Sequence, residues 1–480
     1  MGTYLQRANS SPSSQKKFTV STWVKVCREG GDKYMWSMRT DDSNWIGCRF
    51  AVNGCIILQV YTSGSTTGQL QTNAFFRDFS AWYHVVVAVD TTQSTAGDRL
   101  KLYVNGSQET SFSTTTNPSL NADIPITSNF QVATSPYSSQ YSSNSLDGYL
   151  AQFIYADNQA YSPSTFGSTN TNGIWIPNSS PSVTYGNNGF KLDFAGTGTA
   201  ANASGFGADS SGNGNHLASS NLGTNPSTTD TCENTFCTWN PLDVGANLTQ
   251  VTFSEGNTKA VKSGTTSSNG DQISSSMAFA NGKWYMEFKN LNNFDNTFIG
   301  IYNDVLQTDS PKPYQDNYAY GFYGASVADG SVNSTQMYLS QEGSQKGYGL
   351  SQSGGTAFAT NDIMQVAFDA DNYRLYIGKN GQWTNLNSSG STSISGASFN
   401  QSTPTGYFEI PTAAAKAGFF KIFFTPAGSS SNYSVQANFG NPAFTIASGN
   451  ADANGYGNFE YAVPSGYYAL CTKNLALYGG

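Results

Sequence analysis

The chain has 480 residues, of which 11% are charged, 14% are aromatic and 49 are glycine, and its formal net charge is −8. This length exceeds one ordinary core, which predicts two domains with linking segments. The negative charge would repel a phosphate backbone, which argues against nucleic-acid binding through a broad basic face. Abundant Ser, Thr, Asn, Gly and Tyr with few helix formers favours short strands joined by turns.

Two kinds of targeting segment are not evident in the sequence. It holds no run of about 18 apolar residues, so we expect no transmembrane helix and no membrane insertion. The opening residues, MGTYLQRANSS, lack the apolar core of a signal peptide.

The first predicted strands alternate between two faces. In FTVSTWVKV (18–26) the Phe and Val side chains share one face, and Trp23 lies on the other. The apolar run 49–61 is interrupted by Asn53-Gly54, a pair typical of tight hairpin turns. We therefore predict one strand followed by a hairpin.

One strand-turn-strand pattern occurs twice, at 85–106 and at 364–381. Each copy has a β-rich run ending in Asp, a polar turn, an alternating run and a final Asn-Gly. In the second copy Leu375 and Ile377 alternate with Tyr376, so one set is expected in the core and the other in water. Two copies so far apart predict two separate antiparallel β domains.

The N-terminal half contains the series FTVSTWVKV, AWYHVVVAVD, LKLYVNG and LDGYLAQFIYADNQAYSPSTF. This series resembles the laminin-G and concanavalin-like lectin jelly rolls, which implies two packed antiparallel sheets. The resemblance also places His84 at a position that such domains often fill with His. We expect a packed structural His there, because no neighbouring Ser or carboxylate pattern indicates a catalytic triad.

The C-terminal half contains GKWYMEFK, FIGIYND, YAYGFYG, DIMQVAFDADNYRLYIGKNGQW and VQANFGNPAF. These segments resemble a SPRY domain, a bent β-sandwich that binds partners through loops at one end. The predicted fold class is therefore all-β, with two tandem antiparallel β-sandwiches. The predicted divisions are a laminin-G/concanavalin-like jelly roll at 1–180, a linking segment with a strand and a Gly/Asn-rich turn at 181–255, and a SPRY-like sandwich at 256–480.

The order of these pieces, with DSSGNGNH and WNPL between the halves and FEYAVPSGYYALCTKNL near the end, carries a narrower resemblance. It is similar to virion-surface proteins of tailed phages and some large viruses, which are usually tail-fibre, spike or capsid-attached proteins. The resemblance implies a location on the virion surface, other virion proteins as partners, a host-surface glycan or protein as ligand, and a homo-oligomer.

Catalysis has few candidate residues in the sequence. Retaining glycoside hydrolysis needs two carboxylates about 5 Å apart, and Glu287, Glu342 and Glu409 are isolated in the chain. Asp369 and Asp371 flank a turn and are expected to cap the hairpin, with a catalytic pair as the alternative. We predict that the protein is not an enzyme.

Two further groups of residues each allow two interpretations, one of which is a metal site for the first group and a disulfide for the second. Asp209, Asn213 and the nearby Asn215 could ligate calcium in a Gly-rich turn, or they could stabilise that turn by Asx hydrogen bonds. Cys232 and Cys237 could pair across a loop or remain small buried thiols. We therefore expect no cofactor, with calcium as the alternative.

Neutral glycans are held by aromatic side chains and by Asn, Asp and Gly groups that match hydroxyls. The candidate ligand-binding residues are Asp41, Asp42, Asn44, Trp45, Tyr137, Tyr141, Tyr314, Asp316, Tyr318 and Trp383. The predicted function is a virion-surface fibre, spike or appendage that binds host glycans or proteins. The alternatives are a purely structural capsid or tail decoration component and a glycan depolymerase.

Overall fold

The computed structural model of the chain describes residues 2–27, 30–141, 143–223, 226–244, 251–263, 272–290, 297–304, 319–324, 337–341, 344–346, 358–385, 387–388, 399–410, 416–426 and 433–479. The chain divides into two compact units. The first comprises residues 1–227 with 231–233, and the second comprises 228–230 with 234–480. No helix among the described residues is both long and apolar enough to cross a membrane.

The strands of the first unit are β1 (Tyr4–Ala8), β2 (Lys17–Val26), β3 (Lys33–Asp41), β4 (Asn44–Phe50), β5 (Ile56–Thr62), β6 (Ser65–Thr72), β7 (Tyr83–Asp90), β8 (Leu100–Val104), β9 (Ser107–Gln108), β10 (Phe112–Thr116), β11 (Asn129–Val132), β12 (Gly148–Asp157), β13 (Gly167–Thr169), β14 (Trp175–Pro177), β15 (Phe190–Leu192) and β16 (Ala218–Ser220). Among the described residues, one sheet has the order β10-β6-β5-β4-β3-β11-β1-β16 and a second has β15-β12-β2-β7-β8-β9. All these strand pairs are antiparallel. We call them the eight-stranded and the six-stranded sheet.

The core of the first unit lies between these two sheets. Phe130 of β11 is central to it, with ring centroids 4.9 Å from Phe190 and 4.9 Å from Tyr155 on the opposing sheet. Phe153 meets the same ring edge-on at 5.9 Å. All four rings are fully buried, and edge-to-face packing adds to the free energy of burial.

The six-stranded sheet is covered on both faces. Every side chain of β2 after Lys17 is buried. The segment that follows β12 folds back over the outer face, where Phe166 packs with Val86 and Ile154 and Trp175 stacks on His84 at 6.0 Å. Alternation along β2 predicted one buried face and one exposed face. Both faces are buried because the segment after β12 covers the outer one.

The strands of the second unit are β17 (Trp239–Val244), β18 (Val251–Ser254), β19 (Lys259–Lys262), β20 (Ile273–Ser275), β21 (Lys283–Asn290), β22 (Thr297–Asn303), β23 (Ala319–Gly324), β24 (Met337–Gln341), β25 (Ser344–Lys346), β26 (Ile363–Asp369), β27 (Arg374–Lys379), β28 (Gln382–Thr384), β29 (Asn387–Ser388), β30 (Phe399–Gln401), β31 (Tyr407–Glu409), β32 (Phe420–Pro426), β33 (Tyr433–Asn438) and β34 (Tyr468–Ala469), followed by helix α1 (Thr472–Tyr478). Within the described residues one sheet runs β17-β20-β32-β22-β23-β24-β25 and the other runs β18-β19-β33-β21-β26-β27-β28-β30. The core again lies between two sheets, and Trp239, Phe288 and Phe424 belong to it. The predicted all-β class of antiparallel sandwiches is confirmed.

Both predicted hairpins are present, as β7–β8 and β26–β27. Asn105 and Asn380 have φ values of 49° and 48°, and the following Gly106 and Gly381 have 82° and 85°. Positive φ at both turn residues is what a tight hairpin turn of this type requires. The Asn-Gly pairs therefore specified the turns that follow these hairpins, between β8 and β9 and between β27 and β28.

The second hairpin differs from its sequence expectation in one respect. Leu375 and Ile377 lie in the core as predicted, but Tyr376 on the opposite face is also buried. Tyr376 packs near Tyr407 at 5.9 Å and Tyr467 at 6.1 Å. A later part of the chain covers the face that alternation alone assigned to water.

The segment 181–255, predicted to link two sandwiches, contributes strands to both units. β15 pairs with β12 and β16 pairs with β1 in the first unit, while β17 pairs with β20 in the second. β15 coincides with the strand predicted in this segment, whereas β16 has only three residues, too few for alternation to reveal it.

Candidate functional site

Four of the candidate residues lie in or next to the β3–β4 turn of the eight-stranded sheet. The Asp41 Oδ1 accepts a hydrogen bond from the Ser43 backbone N–H at 2.8 Å, and the Asn44 side-chain amide donates to both Asp41 oxygens at 2.9 and 3.1 Å. The Asn44 Oδ1 accepts from the backbone N–H of Ser63 at 2.9 Å, in the neighbouring β5–β6 turn. The two turns are thereby held side by side.

A loop more than 90 residues away is joined to this turn by Arg39. Its Nη1 donates to the Asp42 carboxylate at 2.9 Å and to the Pro136 carbonyl at 3.0 Å. The contact places Tyr137 beside Trp45. The sequence indicated both aromatic residues as ligand-binding candidates, but it did not indicate that they would contact each other.

Three aromatic rings form a row on the outer face of β4 and β5. Trp45 and Tyr61 are direct cross-strand partners, with ring centroids 5.3 Å apart and planes 24° apart. The Trp45 Nε1–H donates to the Tyr137 hydroxyl at 2.8 Å. Partial burial raises the pKa of Tyr137, so the phenol keeps its proton and can itself donate.

Trp45 is only 3% exposed, whereas Tyr61 and Tyr137 are half-buried. An open stacking face at Trp45, as the sequence suggested, is not present here, because its neighbours cover the indole. Tyr61 was not among the sequence candidates. Residues at equal distances on either side of Asn53 are paired across β4 and β5. The predicted Asn53-Gly54 turn could therefore have placed Tyr61 opposite Trp45.

Beside this row lies a band of side-chain amides. Gln59 of β5 faces Gln69 of β6, and Gln71 follows on the same face, because Leu70 between them points into the core. Gln59 is oriented by Arg49, whose Nη1 donates to it at 3.0 Å, and by Thr66, to which it donates at 2.9 Å.

Gln69 and Gln71 are half-buried, and their side-chain amides make no hydrogen bond to another residue in the described part of the chain. We call Tyr61, Tyr137, Gln59, Gln69 and Gln71 the aromatic–amide surface. It offers ring faces together with amide donors and acceptors that remain available to a ligand.

The other candidates lie elsewhere. The Tyr141 hydroxyl accepts a hydrogen bond from the Gln131 amide, and its ring lies 4.8 Å from Tyr4. Trp383, in the second unit, is 3% exposed and packs near Tyr285 at 6.2 Å. It follows a hairpin turn, as predicted, but the surrounding cluster covers its ring. Tyr314, Asp316 and Tyr318 lie outside the described residues.

His84 is a packed structural residue. Its Nδ1 accepts a hydrogen bond from the Trp175 Nε1–H at 3.0 Å. The proton therefore sits on Nε2, which lies 2.9 Å from the Ser21 hydroxyl and donates to it. Burial lowers the His84 pKa to about 3, so the ring is neutral at physiological pH.

The acidic residues considered for catalysis support the backbone. Asp369 forms an ion pair with Lys283 at 2.9 Å and accepts from the Asn372 N–H at 3.0 Å. Asp371 accepts from the Gly282 N–H at 2.8 Å. Asp369 thus caps the hairpin turn as expected, whereas Asp371 joins that turn to the residue before β21.

Glu287 is the most deeply buried of the described carboxyl groups considered for catalysis, with no exposed surface, whereas Glu342 lies outside the described residues. Its Oε1 accepts from the Tyr285 hydroxyl at 2.9 Å and the Tyr461 N–H at 2.8 Å. Its Oε2 accepts from the Asn438 amide at 3.1 Å and the Glu460 N–H at 2.9 Å. Burial raises the Glu287 pKa to about 7, although the four hydrogen bonds oppose this rise.

The calcium hypothesis concerns Asp209. Its Oδ1 accepts from the Lys191 and Ser211 backbone N–H groups at 3.0 and 2.8 Å, and its Oδ2 accepts from the Asn215 N–H at 2.8 Å. The described residues contain no group of three or more His, Cys, Asp or Glu that could hold a metal ion. The arrangement is that of an Asx turn, because both oxygens point at N–H donors.

The cysteine hypothesis concerns Cys237. Its side chain is fully buried in the second core and its Sγ donates to the Thr238 carbonyl at 3.6 Å. Burial raises the thiol pKa to about 11. This is a small core thiol, which was the alternative to a Cys232–Cys237 disulfide.

Comparison with known proteins agrees with the fold of the first unit. Residues 2–159 match the family model described as the concanavalin A-like lectin/glucanases superfamily. No curated protein sequence matches the chain. The fold of the first unit is thus concanavalin-like, and residues beyond 159 lie outside the matched family model.

Several solved structures show a low overall similarity to part or nearly all of the chain. A SAP-like pentraxin from Limulus polyphemus has 16% identity and a TM-score of 0.28, and covers 38% of this chain and 89% of its own. The SPRY domain of human HERC1 has 12% identity and a TM-score of 0.26, and the match covers 42% of this chain and 96% of that domain. Domains LG4-5 of the mouse laminin alpha1 chain have 8% identity and a TM-score of 0.29, and the match covers 97% of this chain and 92% of that one.

Proposed function

We propose that the protein binds neutral glycans through the aromatic–amide surface of its first unit. The observation that carries this proposal is the position of Gln69 and Gln71, whose amides have no described partner, beside the half-buried ring of Tyr61 on one sheet face. Aromatic rings pack against the C–H faces of sugars, and amides exchange hydrogen bonds with hydroxyls. The lectin/glucanase family match over residues 2–159 supports the same class of ligand.

The proposed activity is binding without catalysis. Asp369 and Asp371 each accept a backbone N–H, from Asn372 and Gly282 respectively. Glu287 is enclosed by four hydrogen-bond donors. The narrower proposal is display on a virion surface as a fibre, spike or appendage that binds host glycans or proteins. Its support is the order of sequence motifs, and a homo-oligomer would multiply a weak single-site affinity.

A glycan array followed by calorimetric titration tests the binding proposal. Truncating Tyr61 to Ala, or both Gln69 and Gln71 to Ala, is expected to weaken binding of a neutral oligosaccharide by about tenfold, the equivalent of one aromatic contact or a pair of hydrogen bonds. Gln108→Ala is the matched control, because Gln108 is exposed on β9 of the other sheet. Equal affinity in all three variants would refute the assignment of the surface.

Two further outcomes distinguish the alternatives. Clean incorporation into particles without binding to any glycan or host cell would favour a purely structural component. A fall in viscosity of a polysaccharide solution during incubation would indicate a depolymerase instead. Asp369→Asn and Asp371→Asn would then be the first variants to examine.

A further inference from the structure

A loop after β6 presents two side chains to solvent although its backbone is firmly held. The Phe76 backbone N–H donates to the Gly54 carbonyl at 2.8 Å, and the Asn73 N–H donates to the Ser111 carbonyl at 3.1 Å. Phe76 and Phe79 pack against the first core. Phe75 and Arg77 point the other way, and Phe75 is 53% exposed.

The Arg77 guanidinium is fixed in this loop. Its Nε donates to the Asn53 carbonyl at 3.0 Å, and its central carbon lies 4.5 Å from the Phe75 ring centroid. Gly54 has φ +85° and leaves room for the side chain, because a Cβ there would lie 2.9 Å from the Arg77 Cγ. The planar group is therefore oriented before any ligand arrives.

The two terminal nitrogens of Arg77 make no hydrogen bond or ion pair to another described residue. The neighbouring Asp78 is turned away, because its Oδ1 accepts from the Ser80 backbone N–H and hydroxyl at 2.9 and 2.6 Å. Arg77 thus keeps a free fork of two N–H pairs at the surface. Such a fork matches the two oxygens of a carboxylate.

The other described arginines of the first unit are already engaged. Arg39 and Arg49 pair with aspartates at 2.9 and 2.7 Å. Arg99 donates to three backbone carbonyls, and Arg7 donates to the side chains of Asn9, Asn188 and Asn215. Arg77 is therefore distinguished by its available nitrogens and by its exposed aromatic support.

We propose that Arg77, Phe75 and Val52 form a second binding site, for a carboxylate-bearing sugar such as a uronic or sialic acid residue. The carboxylate pairs with the two terminal nitrogens of Arg77. The sugar ring lies over the exposed apolar side chains, Phe75 and Val52, the latter 61% exposed in the adjoining β4–β5 turn. This proposal goes beyond neutral-glycan binding and uses none of the residues of the aromatic–amide surface.

The position of the site keeps it apart from the Tyr61 end of that surface. Asn53 and Gly54 precede β5, whereas the turn beside Tyr61 follows it. Seven residues of strand separate the two ends, which corresponds to about 20 Å, although Gln71 pairs with Ile57 near the first end. Tyr61 is therefore the residue of that surface to alter when the two sites are compared.

A sugar fits the site better than an acidic peptide does. One oriented cation flanked by apolar surface matches a ligand with one carboxylate per ring, whereas an acidic peptide would call for several cations. The first unit carries little net charge, with twelve Lys and Arg and thirteen Asp and Glu among residues 1–227. It therefore does not repel a moderately acidic polymer as strongly as the whole chain would.

Calorimetric titration of the full-length protein tests the site with four probes: tetragalacturonate, α2,3-sialyllactose, neutral galactotetraose and hexaglutamate. We expect at least one acidic sugar to bind tenfold or more tightly than galactotetraose in low salt, with the preference reduced at 0.3 M NaCl, since screening weakens an exposed charge pair. The acidic sugar that binds more tightly shows whether the site prefers a uronic acid or a sialic acid.

Arg77→Gln should abolish the preference for the acidic sugar, and Arg77→Lys should restore only part of it, because an ammonium lacks the planar fork. Phe75→Ala should weaken acidic-sugar binding several-fold. Lys16→Gln removes one positive charge from an exposed pair with Asp123 and should leave binding within twofold. Galactotetraose binding, expected to weaken about tenfold in Tyr61→Ala, should persist unchanged in Arg77→Gln.

Three results would overturn the proposal. The wild-type protein could show no preference for either acidic sugar. Arg77→Gln could keep the wild-type preference. Hexaglutamate could bind as tightly as the best sugar, which would assign the site to acidic peptides.

Discussion

The stability of the second unit should depend on pH through Glu287. In the folded protein burial raises the pKa of this carboxyl from 4.5 to about 7. A carboxyl that holds its proton more tightly when folded contributes stability that is fully present below pH 4.5 and is lost as the pH rises through 7. With about 1.4 kcal/mol per pKa unit, the contribution amounts to about 3 kcal/mol across this window.

Neighbouring titratable groups do not mask the effect. Hydrogen bonds, among them those from the Ala359 N–H and Asn380, lower the pKa of Asp362 below its usual 3.8 despite partial burial. Asp362 therefore contributes stability above pH 3.8 that is lost at lower pH, outside the window. The tyrosines beside Glu287, Tyr285 and Tyr461, have raised pKa values and remain protonated throughout.

Urea unfolding between pH 5 and pH 8 measures the effect, with alkylation of Cys237 followed by mass spectrometry as the reporter. Cys237 is buried in the core of the second unit, so it reacts only when that unit opens. Reaction rates are normalised at each pH to the fully unfolded chain, because thiolate formation itself depends on pH. The unfolding midpoint should fall as the pH rises.

Glu287→Gln supplies the decisive comparison. Each Glu287 oxygen accepts a backbone N–H, so the amide group of Gln would face a donor in either orientation, at a cost of about 1–3 kcal/mol. The variant should be less stable at pH 5 and should lose the pH dependence between 5 and 8. An unchanged slope in the variant, or a wild-type midpoint that rises with pH, would refute the reasoning.

Three further results are expected. Trp175→Ala should lower the unfolding free energy of the first unit by about 3 kcal/mol, because packing is lost and the His84 Nδ1 loses its donor. It should also expose 158–185 to limited proteolysis, whereas the control Ile174→Ser, at an exposed position, should not. Equal protease resistance of the two variants would contradict the covering role of this segment. Gly54→Ala should cost about 1–2 kcal/mol in thermal unfolding because of its positive φ, and an unchanged Tm would count against a strained turn. EDTA should leave the Tm unchanged, since both Asp209 oxygens already accept backbone N–H groups, whereas a calcium-dependent rise would revive the metal hypothesis.

The hairpins could be predicted from the sequence because their information is local. Alternation with a period of two assigned Leu375 and Ile377 to the core, and Asn-Gly at 105–106 and 380–381 specified turns that need positive φ. Pairing around Asn53 would similarly have placed Tyr61 beside Trp45. These relations involve residues that are close in the chain or mirrored about one turn.

The candidate site was only partly predictable. Composition pointed to Trp45 and Tyr137 individually, but their hydrogen bond joins residues 92 positions apart. The burial of Trp383 depends on Tyr285 and Phe459, which come from two distant segments. No periodicity in a short window contains such contacts.

The sequence by itself determined the all-β class, the alternating strands and the turns between them, since side-chain period and backbone φ preferences act within a few residues. Only the tertiary structure decided which sheet faces are covered, which acidic side chain is buried, and which described arginine of the first unit has terminal nitrogens without a described partner. Burial depends on segments brought together from far along the chain, and an identical alternating strand can lie under another segment or face the solvent.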